Sequence, residues 1–120
     1  MKTVLVADDK AANRELVRTV LEQSGHTVFE ASDGLEAVRT ARDLLPDLII
    51  LDLHMPAMDG FEVLAELTSD QRFATTPIVA LTASAMQGDR ERALSAGFTS
   101  YIAEPISLNA LRSEMERLLG

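Results

Sequence analysis

The run Leu48-Ile49-Ile50-Leu51-Asp52 is the strongest indication of how this chain folds. Four consecutive apolar residues are followed by an acidic residue. A short apolar run without polar interruption is typical of a strand that is covered on both faces. Comparable runs recur along the chain, and longer stretches with helical spacing of apolar residues lie between them. Five strands that alternate with five helices predict an open, doubly wound α/β fold with a parallel sheet.

The predicted strands are short and rich in aliphatic residues. They cover residues 4–7, 27–31, 48–51, 78–81 and 100–103. The first, third and fourth strands are continuously apolar, whereas the second and fifth are mixed, which places those two nearer the sheet edges. With no linker, repeat or low-complexity segment in the sequence, we expect one domain over residues 1–120.

The predicted helices are amphipathic and cover residues 11–23, 34–44, 60–68, 86–96 and 107–119. Each has apolar residues at helical spacing, which we expect to face the sheet. In chain order these are Leu16, Val17, Val20 and Leu21; Leu35, Val38, Ala41 and Leu45; Phe61, Leu64 and Leu67; Met86, Ala93, Leu94 and Ala96; and Leu108, Leu111, Met115, Leu118 and Leu119. Gly25 and Gly97 follow two of the helices, where a left-handed cap residue is needed.

The composition excludes several classes of function. Nineteen acidic residues against eleven basic ones give a formal charge of -8, which argues against a nucleic-acid partner. This charge suits cations or basic partner surfaces, or it serves mainly to keep the protein in solution. The absence of cysteine removes disulfides and thiolate sites. No apolar run approaches the roughly 20 residues that span a bilayer, and the first residues do not resemble a signal peptide, so we expect a cytoplasmic protein without membrane insertion.

Acidic and polar residues follow the predicted strands. Asp8 and Asp9 follow the first, Asp52 the third, Thr82 ends the fourth, and Glu104 follows the fifth. In a parallel sheet these ends share one edge, where ligands bind in this class of fold. Three converging aspartates predict a hard divalent cation, and Mg²⁺ suits a site with few protein ligands. A carboxylate beside such a metal indicates phosphoryl chemistry.

Several short motifs, in order and at characteristic spacing, carry a family resemblance. They are Asp8-Asp9, Asp52 with Met55-Pro56 and Asp59-Gly60, Leu81-Thr82-Ala83, and Ala96-Gly97 ahead of Tyr101. On these motifs the chain resembles a response-regulator receiver domain of two-component signalling over essentially its whole length. The runs 8–14 and 82–89 are similar to those of stand-alone and hybrid-kinase receivers. The resemblance implies a flavodoxin-like sheet with strand order 2-1-3-4-5.

The resemblance also implies roles for individual residues. Asp52 would accept a phosphoryl group from a phosphohistidine of a histidine kinase or histidine phosphotransfer protein. Asp9, Asp52 and the backbone carbonyl of His54 would bind Mg²⁺, and Asp8 would act mostly through metal-bound water. Thr82 would contact the phosphoryl group.

Further implications concern the output of the domain. Tyr101 would be the aromatic switch residue, and the fourth helix, fifth strand and fifth helix would contact a downstream protein target. The protein would be a phosphoacceptor and not an enzyme in the usual sense. Charged residues on the last two helices either support a weak homodimer or are ordinary solvated positions. They are Arg90, Glu91, Arg92, Arg112, Glu114 and Arg117.

Simpler interpretations exist for some of these residues. Thr82 or Ser84 is suited to capping the following helix, and Tyr101 to half-buried packing. His54 is expected at the rim of the site, exposed to solvent. A small phosphatase with Asp52 as nucleophile is a further alternative, although the chain has no segment for a cap over the site.

The chain departs from the family pattern at Glu104-Pro105, where receivers usually carry Lys-Pro with the lysine paired to the phosphoryl oxygens. Two unit charges about 5 Å apart interact by roughly 3 kcal/mol at an effective dielectric constant of 20, so a carboxylate there opposes phosphate. Glu104 therefore turns to solvent, or stays inward with a cation or basic group, or marks a degenerate receiver that signals without phosphorylation. It is otherwise a neutral or deliberate substitution. Lys10 is a candidate replacement cation, although its position at the start of the first helix makes its reach doubtful. The resemblance also suggests a cis peptide before Pro105.

Overall fold

A computed structural model describes residues 2–83 and 87–120, which form a five-stranded parallel sheet in the order β2-β1-β3-β4-β5. The strands are β1 (Thr3–Ala7), β2 (Thr27–Ala31), β3 (Leu48–Asp52), β4 (Ile78–Thr82) and β5 (Ser100–Ala103). The predicted strand order is confirmed. The two mixed strands lie at the edges, and the three continuously apolar strands lie in the centre of the sheet.

Five helices connect the strands. They are α1 (Ala11–Gln23), α2 (Gly34–Leu44), α3 (Gly60–Thr68), α4 (Gln87–Ala96) and α5 (Leu108–Leu119), and a 3₁₀ turn covers Gln71–Phe73. Ser84, suggested above as a cap, and Met86, the predicted start of the fourth helix, lie outside the described residues. Across the two described ranges, no helix is both long and apolar enough to cross a membrane.

Side chains of β3 alternate between two hydrophobic layers, because successive residues of a strand point to opposite faces. Leu48 and Ile50 pack with α1 and α5, whereas Ile49 and Leu51 pack with α2, α3 and α4. All five residues of β3 are buried. The strand that carries Asp52 is therefore held from both sides, which fixes the position of that carboxylate.

Four leucines that we expected in the core are exposed: Leu35, Leu45, Leu94 and Leu108 have relative accessibilities of 52, 47, 42 and 42%. On α2 the residues that face the core are smaller, and Ala37 and Ala41 have no accessible surface. Leu45 is the left-handed cap residue of α2, with φ of 48°, so its side chain leaves the helical face. The helical spacing of apolar residues predicts which side of a helix faces the sheet, but it does not predict which residues at the margins of that side are buried.

Close packing joins the start of α3 to the end of β3. A Cβ atom added to Gly60 would lie 2.5 Å from the Asp52 carbonyl oxygen and 2.9 Å from the Leu53 Cα. Asp59 caps this helix: its side chain accepts a hydrogen bond from the Glu62 amide at 2.9 Å, and the Glu62 side chain accepts one from the Asp59 amide at 3.1 Å. The first turn of α3 thus supports the backbone that positions Asp52.

Candidate functional site

Three aspartates converge at the carboxyl edge of the sheet. Asp8, Asp9 and Asp52 each place one carboxylate oxygen within 4.8 Å of the others. Asp8 and Asp52 have no accessible surface, whereas Asp9 is exposed. They meet because β1 and β3 are neighbours in parallel register, with Ala7 opposite Leu51. The sheet-edge prediction for these three residues is therefore confirmed in its geometry.

The carboxylate of Asp52 is only partly compensated by its neighbours. Its Oδ1 accepts a hydrogen bond from the His54 amide at 3.1 Å, while its Oδ2 is buried and receives no hydrogen bond from the described residues. Burial, and then the charge and proximity of Asp8, raise the pKa of Asp52 to about 7, although the His54 amide and the Lys10 ammonium act in the opposite direction. The ionised form of this group therefore needs further positive charge.

These residues fit a hard divalent cation. The donors are carboxylate oxygens, which Mg²⁺ prefers, and the unsatisfied Asp52 oxygen is one that a cation would satisfy. Among the aspartates, Asp8 is already engaged: Oδ1 accepts from the Lys10 amide at 2.8 Å, and Oδ2 accepts from the Asn13 side chain at 2.9 Å. Asp9 makes no hydrogen bond to the described part of the chain, so Asp9 and Asp52 are the carboxylates most available to a metal. The role of the His54 carbonyl as a ligand stays a prediction.

Glu104 points inward. Only 12% of its side chain is accessible, and Oε1 accepts a hydrogen bond from Asn13 Nδ2 at 2.7 Å. The same oxygen lies 3.7 Å from the Lys10 ammonium, while Oε2 is buried without a hydrogen-bond partner in the described ranges. Lys10 therefore reaches Glu104, and its role as a replacement cation for a phosphoryl group stays a prediction. Glu104 stays inward with a basic group, the second of the arrangements considered above, and the Glu104–Pro105 peptide is cis as expected.

Asn13 joins two parts of the site that the sequence does not connect. Its side-chain amide donates to both Asp8 and Glu104. The position of Asn13 in the first turn of α1, five residues after Asp8, is a local signal for the first bond. Nothing local predicts the second, because Glu104 is 91 residues away.

Thr82 and His54 share a neighbour that the sequence analysis did not single out. The Thr82 hydroxyl is buried at the end of β4 and donates to Asp89 Oδ2 at 3.4 Å. His54 is at the rim, with 61% of its side chain accessible and Nε2 at 3.8 Å from the same Asp89 oxygen. Asp89, near the start of α4, thus connects the predicted phosphoryl contact with the loop after β3.

Tyr101 is half-buried on β5 and packs against the hydrophobic layer of α2, α3 and α4. The Arg90 guanidinium lies over its ring, 5.0 Å from the centroid. Such a contact combines packing with attraction between the cation and the ring face. Of the charged residues considered for a dimer face, Glu114 is only partly exposed, because Ser100 and Arg117 both donate to it.

A family profile for the response regulator receiver domain matches residues 4–116. The chain belongs to this family. It is similar to the polar-differentiation response regulator DivK of Brucella ovis, with 37% identity over 119 residues, which cover 99% of this chain and 97% of that protein. Receivers of this family are signalling proteins that work through phosphorylation in two-component systems.

Solved structures of other receivers agree closely with the fold. The chemotaxis response regulator CheY4 of Vibrio cholerae has a TM-score of 0.92 and 30% identity, with 98% of each chain covered. The receiver domain of the sensor histidine kinase PA1611 from Pseudomonas aeruginosa has a TM-score of 0.90 and 34% identity, with 99% of this chain and 98% of that chain covered. The PA1611 structure holds a magnesium ion in its active-site cleft.

Proposed function

We propose that residues 1–120 form a cytoplasmic receiver that binds Mg²⁺ and accepts a phosphoryl group on Asp52 from a phosphohistidine of a histidine kinase or phosphotransfer protein. The observation that supports this function is the buried Asp52 oxygen, unsatisfied by the described residues and placed beside Asp8 and Asp9. A buried acceptor-only carboxylate among two others is costly. A site that receives both a cation and a phosphoryl group accounts for this arrangement.

In the proposed reaction, a carboxylate oxygen of Asp52 attacks phosphorus and forms the P–O bond of an acyl phosphate. The P–N bond to the donor imidazole breaks, and the imidazole nitrogen leaves with the electron pair and takes up a proton. Asp9, Asp52 and the His54 carbonyl would hold Mg²⁺, which when bound offsets the charge of the phosphoryl oxygens. Signal termination is hydrolysis, in which water attacks phosphorus and regenerates the carboxylate.

Output would proceed from Thr82 and Tyr101. The Thr82 hydroxyl would leave Asp89 to donate to a phosphoryl oxygen, and Tyr101 would change its packing beneath Arg90 in response. These residues lie on β4, α4 and β5, so the altered surface is the one formed by α4, β5 and α5. A downstream protein would read that surface by direct contact.

The test is phosphorylation of the purified protein with acetyl phosphate or phosphoramidate and Mg²⁺. Intact mass should show one added phosphoryl group, and Asp52→Asn should abolish it. Asp43→Asn is a matched control, because Asp43 is an exposed aspartate of α2, and it should leave the adduct unchanged. If the protein binds Mg²⁺ and yet forms no adduct with either donor, this function is wrong.

A second candidate is a degenerate receiver that signals by binding alone, and the inward Glu104 carboxylate favours it. Negative charge held near the acceptor opposes a phosphoryl group. Glu104→Lys separates the candidates. If the native chain is inert and this variant is phosphorylated on Asp52, the native chain is a degenerate receiver; if both are phosphorylated, it is not.

A further inference from the structure

Positive charge reaches the acidic site from an unusual direction. The residue after β5 is Glu104, but the Lys10 ammonium lies 3.7 Å from its carboxylate and acts electrostatically on Asp8, Asp9 and Asp52. Its ion pair with Glu104 places a positive charge beside the carboxylates of the site.

The backbone of Lys10 is fixed while its ammonium retains freedom. Its amide donates to Asp8 Oδ1 at 2.8 Å, which anchors the residue beside the aspartates. Half of its side chain, 52%, is accessible, so the ammonium is not enclosed at Glu104. Glu104 itself is held by Asn13 at 2.7 Å, and its carboxylate lies 3.7 Å from the ammonium.

Arg14 is the neighbouring basic residue, and it is not available for this role. Its Nε donates to Glu30 Oε1 at 2.9 Å, and its Nη1 donates to the Asp8 carbonyl at 2.7 Å. These two contacts direct the Arg14 guanidinium towards β2 and towards the backbone between β1 and α1. Moving Arg14 to a phosphoryl group would break two charge-assisted hydrogen bonds.

We propose that Lys10 supplies the cation for the phosphoryl group on Asp52, and that Glu104, fixed by Asn13, positions Lys10 for this contact. The inference rests on the proposed function, because it assigns a residue to that reaction. In the resting protein the ammonium pairs with Glu104. When a phosphoryl group arrives, its greater negative charge draws the ammonium across, so the positive charge comes from the start of α1 and not from the end of β5.

The chain allows a well-controlled test, because Lys10 and Lys2 are its two lysines. Lys10→Gln should lower the rate of Asp52 phosphorylation by acetyl phosphate by about tenfold. It should also lower the affinity for fluoroberyllate, measured by NMR, by about tenfold. This factor corresponds to the loss of one hydrogen bond to a charged group. Lys10→Arg should retain most of both. Lys2→Gln makes the same change in net charge at an exposed position and should leave both unchanged.

Two further measurements separate this role from general damage to the site. Lys10→Gln should bind Mg²⁺ at least as tightly as the native protein, because a positive charge beside the aspartates has been removed; a distorted site would bind Mg²⁺ more weakly. The Glu104→Lys variant has an additional lysine at the acidic site. In that background, Lys10→Gln should change the rate of Asp52 phosphorylation by less than about twofold.

The outcomes distinguish the inference from the function on which it rests. If the native protein is phosphorylated on Asp52 and Lys10→Gln behaves like Lys2→Gln, the role of Lys10 is wrong and the proposed function stands. Equal losses from Lys10→Gln in the native and Glu104→Lys backgrounds, or weakened Mg²⁺ binding, also overturn it. If the native protein takes up neither a phosphoryl group nor fluoroberyllate, the proposed function fails and the inference fails with it.

Discussion

Substitution of Gly60 by alanine should destabilise the fold through the backbone that carries Asp52. The new Cβ would lie 2.5 Å from the Asp52 carbonyl oxygen, whereas real Cβ contacts are essentially never below 3.0 Å. The start of α3 and the end of β3 must therefore separate by about half an ångström. Because β3 is buried on both faces, the displacement is not absorbed by solvent-exposed side chains.

The expected magnitude is about 1–3 kcal/mol in the free energy of unfolding, the usual cost of forcing extra atoms into a packed region. For a chain of this size that is roughly 4 °C in Tm per kcal/mol. The loss is reduced slightly, because alanine favours a helix more than glycine does. Urea unfolding followed by far-UV circular dichroism gives the free energy, and a thermal scan gives Tm.

Gly88 provides the control, because it lies near the start of α4 and its added Cβ would meet no atom of residues 2–83 and 87–120 within 4 Å. Gly88→Ala should be neutral or stabilising by up to about 1 kcal/mol. If Gly60→Ala were as stable as Gly88→Ala, the close approach between α3 and β3 would not be a constraint, and the account of how Asp52 is positioned would be refuted. Slower phosphorylation of Gly60→Ala is also expected, given the proposed role of Asp52.

Three further changes should act on other parts of the fold. Asp59→Ala removes the side-chain cap of α3, which accepts a hydrogen bond from the Glu62 amide, and should cost about 1 kcal/mol by urea unfolding. Arg90→Met removes the cation over Tyr101, the one tyrosine of a chain without tryptophan, and should change the tyrosine emission while lowering stability by about 0.5–1 kcal/mol. Hydrogen bonds from Arg18 and Arg14, opposed by burial, lower the pKa of Glu30 below its ordinary 4.5. The stabilisation from this group is therefore complete above the ordinary pKa and is lost as the pH falls through the lowered pKa.

Each of these predictions has a specific check. Asp59→Ser should retain most of the stability, because serine also caps helices; an equal loss would mean that the cap is not the cause. Arg92→Met removes the cation over Phe61 and should leave tyrosine emission unchanged. For Glu30, the stability difference between the native protein and Glu30→Gln should shrink between about pH 6 and pH 3, and a constant difference would contradict the predicted link to its ion pairs.

The sheet was predictable from the sequence because its signal is local. Each central strand contains a short run without polar residues, such as residues 78–81, and such a run has few alternatives to a doubly covered strand. The topology then brings Asp8, Asp9 and Asp52 together, because parallel strands end at one edge. This part of the site follows from residue order and needs no knowledge of side-chain conformation.

The charges around the aspartates were not predictable in the same way. Whether Glu104 turns inward depends on Asn13, and whether Lys10 reaches it depends on where α1 begins relative to β5. Both are distances between segments far apart in sequence. Likewise, the helical spacing of Leu35 and Leu94 predicted that they face the sheet, and this was wrong: both are exposed, whereas Ala37 and Ala93 of the same helices are buried.

The hydrogen bond from Asn13 to Glu104 has a consequence for folding. Its 91-residue separation spans most of the chain, and β3 and β4 lie between the strands that precede its two ends. Contacts of such long range form slowly, because closing a large loop has an entropic cost. We therefore expect the polar framework of the acidic site to be completed late in folding, when β5 docks. Local opening of β5 should expose the Glu104 amide to hydrogen exchange together with loss of the Asn13 bond, so the site and the last strand form and open as one cooperative unit.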